Sequence, residues 1–260
     1  EWGWCDILAM RISIVTATWN AAAVIGPTVR SVRDQAWPDL EHLLQDNCSR
    51  DETVALALAD CPAMVVRQEA DTGVYDAFNR GWRHSTGELV AFLNAGDHYL
   101  PGTLAAVSAI FAKHPEVMVV HGQIEVCNDG VTQAVAPRRG WLSLGGARIY
   151  HPATFMRRTV LEQLDGFDER YRLCADLDLF LRATGKYPFY HLPRPLTHFA
   201  LGGMSTVHHD RVAREMARIL RCRGYAWPFI CAFWLAERGR GLLVTLLPPA
   251  LRRALRRLRR

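Results

Sequence analysis

The sequence predicts an α/β protein whose core is a doubly wound, mostly parallel sheet. Short apolar runs rich in Val and Ile alternate with segments whose apolar residues recur at helical spacing, which is the pattern typical of βαβ units. One apolar run, Leu89–Leu93, ends in the polar sequence Asn94-Ala95-Gly96-Asp97. A carboxylate at the carboxyl end of a buried strand indicates a ligand site, because open α/β sheets bind ligands at that edge.

The first half of the chain supplies most of the predicted sheet. Ile12–Thr16 is a β-branched run typical of a buried strand, and Ile25, Val29 and Val32 then fall at helical spacing. The alternation continues to residue 121. The predicted strands are Ile12–Thr16, Leu40–Gln45, Met64–Arg67, Leu89–Leu93 and Val117–His121, and the predicted helices are Ala22–Ala36, Asp51–Ala59, Val74–His84 and Leu104–Lys113.

The second half has shorter and less regular elements. Gln123–Cys127 and Val131–Val135 flank Asn128-Asp129-Gly130, which predicts a β-hairpin. Pro137–Ile149 is rich in Gly and Arg, and we expect it to form a loop over the site. Helices are predicted at Thr159–Leu164, Leu177–Thr184 and Val207–Arg223, and short strands at Phe189–Leu192 and Leu196–Ala200.

Composition favours one catalytic domain, residues 1–224, followed by an apolar and basic segment, residues 225–260. The net charge is +5, but six arginines lie after residue 251, so the rest of the chain sums to −1. A nearly neutral body argues against nucleic-acid binding, which requires a basic face. The seven cysteines include no Cys-x-x-Cys pair, which argues against a disulfide framework or a zinc site.

The C-terminal segment predicts contact with a membrane surface. Its apolar runs, 227–235 and 242–247, are shorter than the roughly 20 residues that a spanning helix needs. Leu251, Leu255 and Leu258 recur at helical spacing among the arginines, as in a basic amphipathic helix. The alternative is an apolar segment docked on the domain with a solvated basic end. We expect a cytoplasmic protein held peripherally at the inner face of the plasma membrane.

The stretch from Glu69 to Asp97 carries the clearest chemical signal. A carboxylate-bearing loop leads into a helix, and the strand that follows ends at Asp97. A lone carboxylate at a strand–loop junction suits a hard divalent cation, and such a cation suits a diphosphate. We therefore expect Mn²⁺ or Mg²⁺ as the cofactor.

Five motifs occur in order between residues 11 and 205. They are residues 12–20, 46–53, 71–81 and 87–97, and the later Gly-Phe-Asp-Glu at 166–169 together with 175–182. In this order they resemble family 2 glycosyltransferases of the GT-A fold, of the bacterial polysaccharide and exopolysaccharide type. The resemblance implies an inverting enzyme with a Rossmann-like, mostly parallel nucleotide-binding sheet. The C-terminal residues would form a helical appendage.

The resemblance implies that the first two motifs hold the nucleotide. Thr16, Thr18 and Asn20 would form the strand–loop edge of the pocket. Asp46 would accept the imino hydrogen of the base, and capping of the next helix is its alternative role. Cys48 stands where the family commonly has Gly, so we expect the loop path to differ there.

The third motif would line the donor site through Asp71, Gly73, Asp76 and Asn79. Asp76 and Arg80 are spaced i, i+4. A mutual ion pair is therefore the alternative role of Asp76.

The fourth motif would contact the donor through Asn94, Ala95 and Gly96 and would bind the metal through Asp97. Gly96 and Asn94 stand where the family often has acids. We therefore expect weak metal binding by the free enzyme, with the donor diphosphate supplying much of the coordination. His198 is a weaker candidate for a further metal or diphosphate ligand.

The fifth motif would supply the catalytic base, Asp176, because an inverting transfer needs one group to take the proton of the acceptor hydroxyl. Asp178 is the alternative base, although a helix cap or a partner of Arg182 is the more natural role for it. Arg182 and His151 are expected to contact substrate, with a buried, hydrogen-bonded role as the alternative for His151. Residues 202–205 would form a closing loop.

The predicted reaction transfers a sugar from a nucleoside-diphosphate donor, with UDP expected before GDP or dTDP, to a hydroxyl of a glycan or lipid-linked acceptor. One rival is a nucleotidyltransferase of similar fold. It predicts Gly, Arg or Lys in the loop after the first strand, and residues 16–23 contain none of these. The other rival is a scaffold or partner subunit without turnover, which the thinned acidic motif at 94–97 keeps open.

Overall fold

The computed structural model describes residues 10–128, 131–137, 149–201 and 209–232. The chain divides into two compact units, Glu1–Leu201 and Gly202–Arg260. The predicted functional division, residues 1–224 and 225–260, stays a prediction. The predicted closing loop at 202–205 and most of the predicted loop Pro137–Ile149 lie outside the described residues.

The described residues contain nine strands, seven α-helices and a further helical segment at residues 227–232. The strands are β1 (Ile12–Thr18), β2 (Leu40–Asp46), β3 (Val65–Gln68), β4 (Leu89–Asn94), β5 (His98–Tyr99), β6 (Val119–Asn128), β7 (Val131–Val135), β8 (Thr154–Arg157) and β9 (Phe189–Phe199). The helices are α1 (Ile25–Arg33), α2 (Thr53–Asp60), α3 (Val74–His84), α4 (Thr103–Lys113), α5 (Arg158–Leu164), α6 (Ala175–Ala183) and α7 (His209–Cys222).

The first four strands form a parallel sheet in the order β3-β2-β1-β4. The register pairs Thr18 of β1 with Asp46 of β2, and Ala17 with Asn94 of β4. The polar residues that end these three strands therefore stand side by side at one edge of the sheet. The predicted α/β fold, with a parallel sheet formed by the first half of the chain, is confirmed.

The remaining strands extend the same sheet in mixed directions. β8 runs antiparallel to both β4 and β6, and β9 runs parallel to β6 and antiparallel to β5. The predicted hairpin is present as the antiparallel pair β6 and β7. A short 3-10 turn, His151–Ala153, leads directly into β8.

Two pairs of predicted strands are single long strands in the structure. Val117–His121 and Gln123–Cys127 merge into β6, whose register with β9 shifts on both sides of Gln123. Phe189–Leu192 and Leu196–Ala200 likewise merge into β9 across two prolines. Irregular pairing allows prolines within a strand. The two prolines of β9 and the irregular pairing at Gln123 of β6 therefore interrupt the ladder without ending either strand.

Successive side chains of β1 point to opposite faces of the sheet, and helices cover both faces. Ile12 and Ile14 belong to a buried cluster with Leu104, Val107 and Phe111 of α4 on one face. On the other face α3 packs against β1 and buries its aromatic residues Tyr75, Phe78 and Trp82. This two-sided burial holds the strand ends that form the candidate site.

Helix α1 begins three residues later than predicted, at Ile25 rather than Ala22. The preceding turn is held from outside the helix. The backbone N–H of Ala21 donates to Thr53 Oγ1 at 2.7 Å, and that of Ala22 donates to Asp51 Oδ2 at 3.1 Å. These side-chain acceptors pair the two N–H groups and tie the start of α1 to the loop before α2.

The contact between α3 and β1 predicts a sharp difference between two glycines. A Cβ added at Gly81 would lie 2.2 Å from Val15 Cγ1, whereas one added at Gly26 would meet mainly the flexible guanidinium of Arg30. Gly81→Ala should lower the free energy of unfolding by about 1–3 kcal/mol through overpacking. Gly26→Ala, the matched control, should stay within about 1 kcal/mol of the unmodified protein. Urea denaturation measures both, and equal stabilities would contradict the packing described.

Candidate active site

The end of β1 presents one unpaired hydroxyl and one exposed aromatic ring. Thr18 Oγ1 is buried and has no hydrogen-bond partner among the described residues. Trp19, the next residue, is 65% exposed. A buried unpaired hydroxyl is costly, which makes it a good indicator of a missing ligand atom. The sequence prediction included Thr18 but overlooked Trp19, although a Trp in a strand-end loop is itself a signal.

Thr16 lies inside the sheet rather than at its edge. Its hydroxyl is fully buried and lies 2.9 Å from His42 Nε2. Burial lowers the pKa of His42 to about 3, so the ring is neutral. The structure therefore places Thr16 in a buried polar pair, and its predicted place in the nucleotide pocket stays a prediction.

Asp46 closes the loop between β2 and α2. Its Oδ1 accepts from Ser49 Oγ at 2.5 Å, and its Oδ2 accepts from the Ser49 N–H at 2.8 Å and from Gln68 Nε2 at 3.3 Å. The carboxylate is fully buried and does not cap α2, and its predicted contact with the base stays a prediction. Cys48 adopts the left-handed conformation with φ +49°, which explains why family members commonly have Gly there.

This loop is also bonded to the end of β1. Asn20 donates its backbone N–H to Ser49 Oγ at 2.8 Å and accepts the N–H of Arg50 on Oδ1 at 2.9 Å. The side chain of Asn20 thus joins the first two motifs, and its predicted contact with a nucleotide stays a prediction.

The loop before α3 gathers carboxylates close to Asp46. Asp71 Oδ1 accepts the N–H of Gly73 at 2.9 Å, and burial, together with the nearby charges of Asp76 and Asp46, raises the pKa of Asp71. Gly73 has φ +143°, a conformation that only glycine adopts readily. The loop shape thus depends on Gly73, and the donor-binding role of both residues stays a prediction.

Asp76 forms the ion pair that was its alternative role. Arg80 Nε donates to Asp76 Oδ1 at 2.7 Å, and the N–H of Thr72 donates to Oδ2 at 2.8 Å. Burial opposes ionisation of Asp76, but these hydrogen bonds outweigh it and hold its pKa below the usual range. The carboxylate therefore stabilises the start of α3.

Asn79 is a buried residue, and its predicted place in the donor site stays a prediction. Its Nδ2 donates to the carbonyl of Phe167 and to Glu169 Oε1, at 2.8 and 2.7 Å. Its Oδ1 accepts from Trp82 Nε1 and from the N–H of Phe167, at 3.1 and 2.9 Å. These four bonds use the full capacity of the amide, so Asn79 fastens α3 to the turn that precedes α6.

Asp97 lies at the predicted strand-end turn and is almost completely buried, with 3% of the residue exposed. Its Oδ1 accepts the N–H of Ala200 at 2.8 Å, and its Oδ2 lies 3.4 Å from Asn94 Nδ2. Burial raises the pKa of Asp97. Gly96 has φ +101°, so an acid in its place would strain the turn.

Asp176, the second residue of α6, lies beside two groups from distant parts of the chain. Its Oδ1 accepts from Tyr75 Oη at 3.1 Å and from the N–H of Leu177 at 2.8 Å, and its Oδ2 lies 3.3 Å from His151 Nδ1. Burial opposes ionisation, but the bond to His151 and the other donors keep the pKa of Asp176 below its usual range. About 23% of its side chain remains exposed, so a substrate can reach an ionised carboxylate.

His151 connects the two predicted key acids. Its Nε2 lies 3.0 Å from Asn94 Nδ2, and Asn94 in turn approaches Asp97. The alternative role of His151, a hydrogen-bonded and mostly buried ring, is the one that the structure shows. Tyr75, the other partner of Asp176, was missed by the sequence prediction because nothing local relates residues 101 positions apart.

Arg182 forms its described hydrogen bonds within the fold, and its predicted contact with substrate stays a prediction. Its Nε donates to Asp178 Oδ2 at 2.8 Å, and its two terminal nitrogens donate to the carbonyls of Leu164 and Gly166. Asp178 is fully buried, so it is the structural partner of Arg182 and not an accessible base. This pair joins α6 to the end of α5.

The side chains at the carboxyl edge of the sheet offer few ligands for the predicted cation. No group of three His, Cys, Asp or Glu side chains suited to a cation occurs within the described ranges. Asp97 Oδ2 has one long contact, at 3.4 Å, and so retains lone pairs for a cation. His198 stacks on His98, with ring centroids 4.6 Å apart. The residues fit a cation that takes most of its oxygen ligands from a bound diphosphate.

Solved structures share this fold. The chain aligns with TarS of S. aureus with a TM-score of 0.66 at 18% identity, covering 92% of this chain and 76% of TarS. It aligns with the mannosyltransferase PcManGT of Pyrobaculum calidifontis with a TM-score of 0.63 at 20% identity, covering 89% and 70%. The sheet and its polar edge are therefore those of the GT-A glycosyltransferase fold.

Sequence comparison identifies the family. The profile described as Glycosyl transferase family 2 matches residues 13–168. A PGL/p-HBAD biosynthesis glycosyltransferase of Mycobacterium bovis (strain BCG / Pasteur 1173P2) is 34% identical over 179 residues, covering 67% of this chain and 70% of the relative. The chain belongs to glycosyl transferase family 2.

The structural role of Arg182 predicts a loss of stability on its replacement. Arg182→Gln would leave the buried carboxylate of Asp178 without its cation, and breaking such a pair costs about 3–5 kcal/mol. Arg83→Gln is the matched control, because its partner Asp165 is 90% exposed and such surface pairs contribute about 0–1 kcal/mol. Urea denaturation compares the two, and a stable Arg182→Gln protein with weakened donor binding would support the substrate-binding role.

Proposed function

We propose that the protein is a metal-dependent, inverting glycosyltransferase. It would move a sugar from a nucleoside-diphosphate donor to a hydroxyl of a glycan or lipid-linked acceptor. The observation that carries the proposal is the hydrogen-bonded series Asp97, Asn94, His151 and Asp176 at the carboxyl edge of the sheet. It connects the carboxylate that we propose for the cation, Asp97, with the accessible carboxylate that we propose as the base, Asp176.

The end of β1 would receive the nucleotide. The unpaired hydroxyl of Thr18 offers a hydrogen bond to the donor, and the exposed indole of Trp19 offers an apolar face for a base. Structural neighbours have been solved with UDP, UDP-GlcNAc and GDP-Man, which supports a nucleotide-sugar donor and leaves its base to experiment. We favour UDP.

Asp97 would hold Mn²⁺ or Mg²⁺ together with the donor diphosphate. When bound, the cation would supply positive charge next to the leaving phosphates. The protein itself contributes the buried carboxylate of Asp97, which the N–H of Ala200 holds in place. PcManGT has been solved with GDP-Man and Mn²⁺, which supports a cation of this kind.

Asp176 would act as the base. Its lowered pKa keeps it ionised at neutral pH, and its partly exposed side chain can accept the proton of the acceptor hydroxyl as that oxygen attacks the anomeric carbon. Tyr75 and His151 hold the carboxylate from two sides. One relative is named for PGL/p-HBAD biosynthesis, and this name supports the proposal of a glycan or lipid-linked acceptor.

Two isosteric substitutions test the assigned roles. Asp97→Asn keeps an oxygen for the Ala200 N–H, so it should fold but lose the thermal stabilisation that UDP-sugars give with Mn²⁺. Asp176→Asn should keep that stabilisation and lose transfer by at least about 100-fold, because it removes the general base. Thermal shift and release of UDP measure the two effects.

The control for both variants is Asp34→Asn, which alters an exposed carboxylate at the end of α1 and should leave binding and turnover unchanged. Transfer that survives both Asp97→Asn and Asp176→Asn would exclude the proposed mechanism. Donor binding without turnover in the unmodified protein would instead support the scaffold alternative.

We also propose that the C-terminal unit holds the enzyme at the inner face of the plasma membrane. No helix in the described part of the chain is long and apolar enough to cross a bilayer. Helix α7 exposes Arg211, Arg214, Arg218 and Arg221 at intervals of three and four residues, which places them along one helical face. Trp227 follows and is 65% exposed. Exposed arginines and an exposed tryptophan close together in the sequence suit the surface of an anionic bilayer.

Flotation with vesicles tests this membrane contact. The full chain should float with phosphatidylglycerol vesicles, float less with pure phosphatidylcholine, and lose binding as salt is raised. Removal of residues 225–260 should weaken flotation, and replacement of Arg211, Arg214 and Arg221 by Gln should weaken it further. Flotation that is equal with and without residues 225–260 would refute a tail anchor.

A further inference from the structure

We infer that Asn94 selects the tautomer of His151 and that His151 thereby orients Asp176, which makes Asn94 and His151 positioning residues for the base. The inference rests on the proposed function for the role of Asp176. The tautomer itself is a property of the resting protein and can be measured without turnover.

The first step concerns the side-chain amide of Asn94. Its Nδ2 lies 3.4 Å from a carboxylate oxygen of Asp97, and an ionised carboxylate can only accept hydrogen bonds, so the NH₂ group faces the ionised Asp97. The same Nδ2 lies 3.0 Å from His151 Nε2. An amide NH₂ has two hydrogens and no acceptor capacity, so it donates one hydrogen to Asp97 and the other to His151.

The second step follows from the chemistry of the imidazole. Because Nε2 accepts a hydrogen from Asn94, it carries none of its own, and the proton of the neutral ring lies on Nδ1. Nδ1 lies 3.3 Å from Asp176 Oδ2. His151 therefore donates Nδ1–H to the carboxylate, and this bond is possible in one tautomer of the neutral ring.

The third step identifies the oxygen of Asp176 that takes the proton. Within the described residues, Oδ1 accepts the N–H of Leu177, whereas Oδ2 accepts from His151. Oδ1 also shares the single hydroxyl hydrogen of Tyr75 with the carbonyl of Leu173, each of the two oxygens lying 3.1 Å from Tyr75 Oη. A carboxylate oxygen accepts about two hydrogen bonds. Oδ2 therefore retains one accepting position, and the proton of the acceptor hydroxyl would go there.

The surroundings of His151 keep the ring from turning. Its centroid lies 5.9 Å from the ring of Phe78, and Phe78 packs on Phe92 and Phe167 at 4.9 and 5.7 Å. Tyr75 also packs on Phe167, at 5.3 Å. The two side-chain partners of Asp176, Tyr75 and His151, thus pack against one aromatic cluster. This packing fixes the directions of their hydrogen bonds to Asp176.

The identity of residue 94 matters for this arrangement. An Asp at this position would present acceptors to Nε2 of His151. In one case the proton of the neutral ring would move to Nε2, and in the other the ring would hold a second proton. In the first case Nδ1 would present a lone pair to Asp176 and repel it. With Asn at this position a neutral ring carries its proton on Nδ1 and donates it to Asp176, whereas with Asp the same contact would need a charged ring.

The tautomer can be read directly from the ring nitrogens of His151 by NMR with ¹⁵N-histidine labelling. The chain has ten histidines, and the signal lost in His151→Gln assigns the residue. At about pH 8.5, two units above the usual imidazole pKa of about 6.5, we expect a proton on Nδ1 and none on Nε2. A proton on Nε2, or on both nitrogens, would overturn the inference.

Asn94→Asp should remove this pattern, either by moving the proton to Nε2 or by protonating both nitrogens. Asn47→Asp is the matched control: it adds the same charge near the end of β2 and keeps the oxygen that accepts the N–H of Asp71. The His151 signals should be unchanged in the control. An unchanged His151 pattern in Asn94→Asp would also overturn the inference.

Kinetics separate positioning from a general loss of structure. Asn94→Asp should lower kcat by about tenfold or more, as other misoriented catalytic histidine–carboxylate pairs do, with a smaller change in the donor KM. In a His151→Gln background the same substitution should lower kcat by less than about threefold, because its effect passes through His151. Fully additive losses would refute the coupling. An inactive unmodified protein with the expected tautomer would count against the proposed function and leave the tautomer assignment supported.

Discussion

The parallel register of β1 between β2 and β4 is the constraint on which the site depends. It sets Thr18 level with Asp46, and Ala17 level with Asn94, so three chain segments deliver polar groups to one edge. Strict burial on both faces of β1 holds this register, since a shift of one residue would place apolar side chains on the wrong face. Helix α3, closely packed through Gly81 on Val15, adds Tyr75 to the same edge.

The acids at this edge are charged groups in a largely buried setting, and each is paired differently. Asp46 and Asp76 are bonded to local loop donors and to Arg80, so they stabilise the loops that shape the edge. Asp97 keeps an oxygen with a single long contact, and Asp176 keeps one accepting position and partial exposure. Burial with incomplete pairing is typical of functional carboxylates, and it separates these two acids from the structural ones.

Much of the fold was predictable because the apolar periodicities of the first half are regular. The predicted bounds of α3 are those observed, and the ends of β1 to β4 differ from the predicted ends by at most two residues. The errors have specific causes. Prolines in β9 suggested two strands where irregular pairing maintains one, and β5 and β8 are too short for a periodic signal. The buried partners of Thr16, Asn79 and Arg182 were not predicted, because sequence spacing does not reveal which group a polar side chain meets.

The sequence by itself determined the alternation of strands and helices, the glycosyltransferase family and the positions of Asp97 and Asp176 at element ends. These properties follow from local periodicity and from motifs a few residues long. The tertiary structure decided which polar groups are used within the fold and which remain available. The contacts of Asp176 with Tyr75 and His151, and that of His151 with Asn94, span 101, 25 and 57 positions. Such pairings arise from the packing of sheet and helices, which no local pattern encodes.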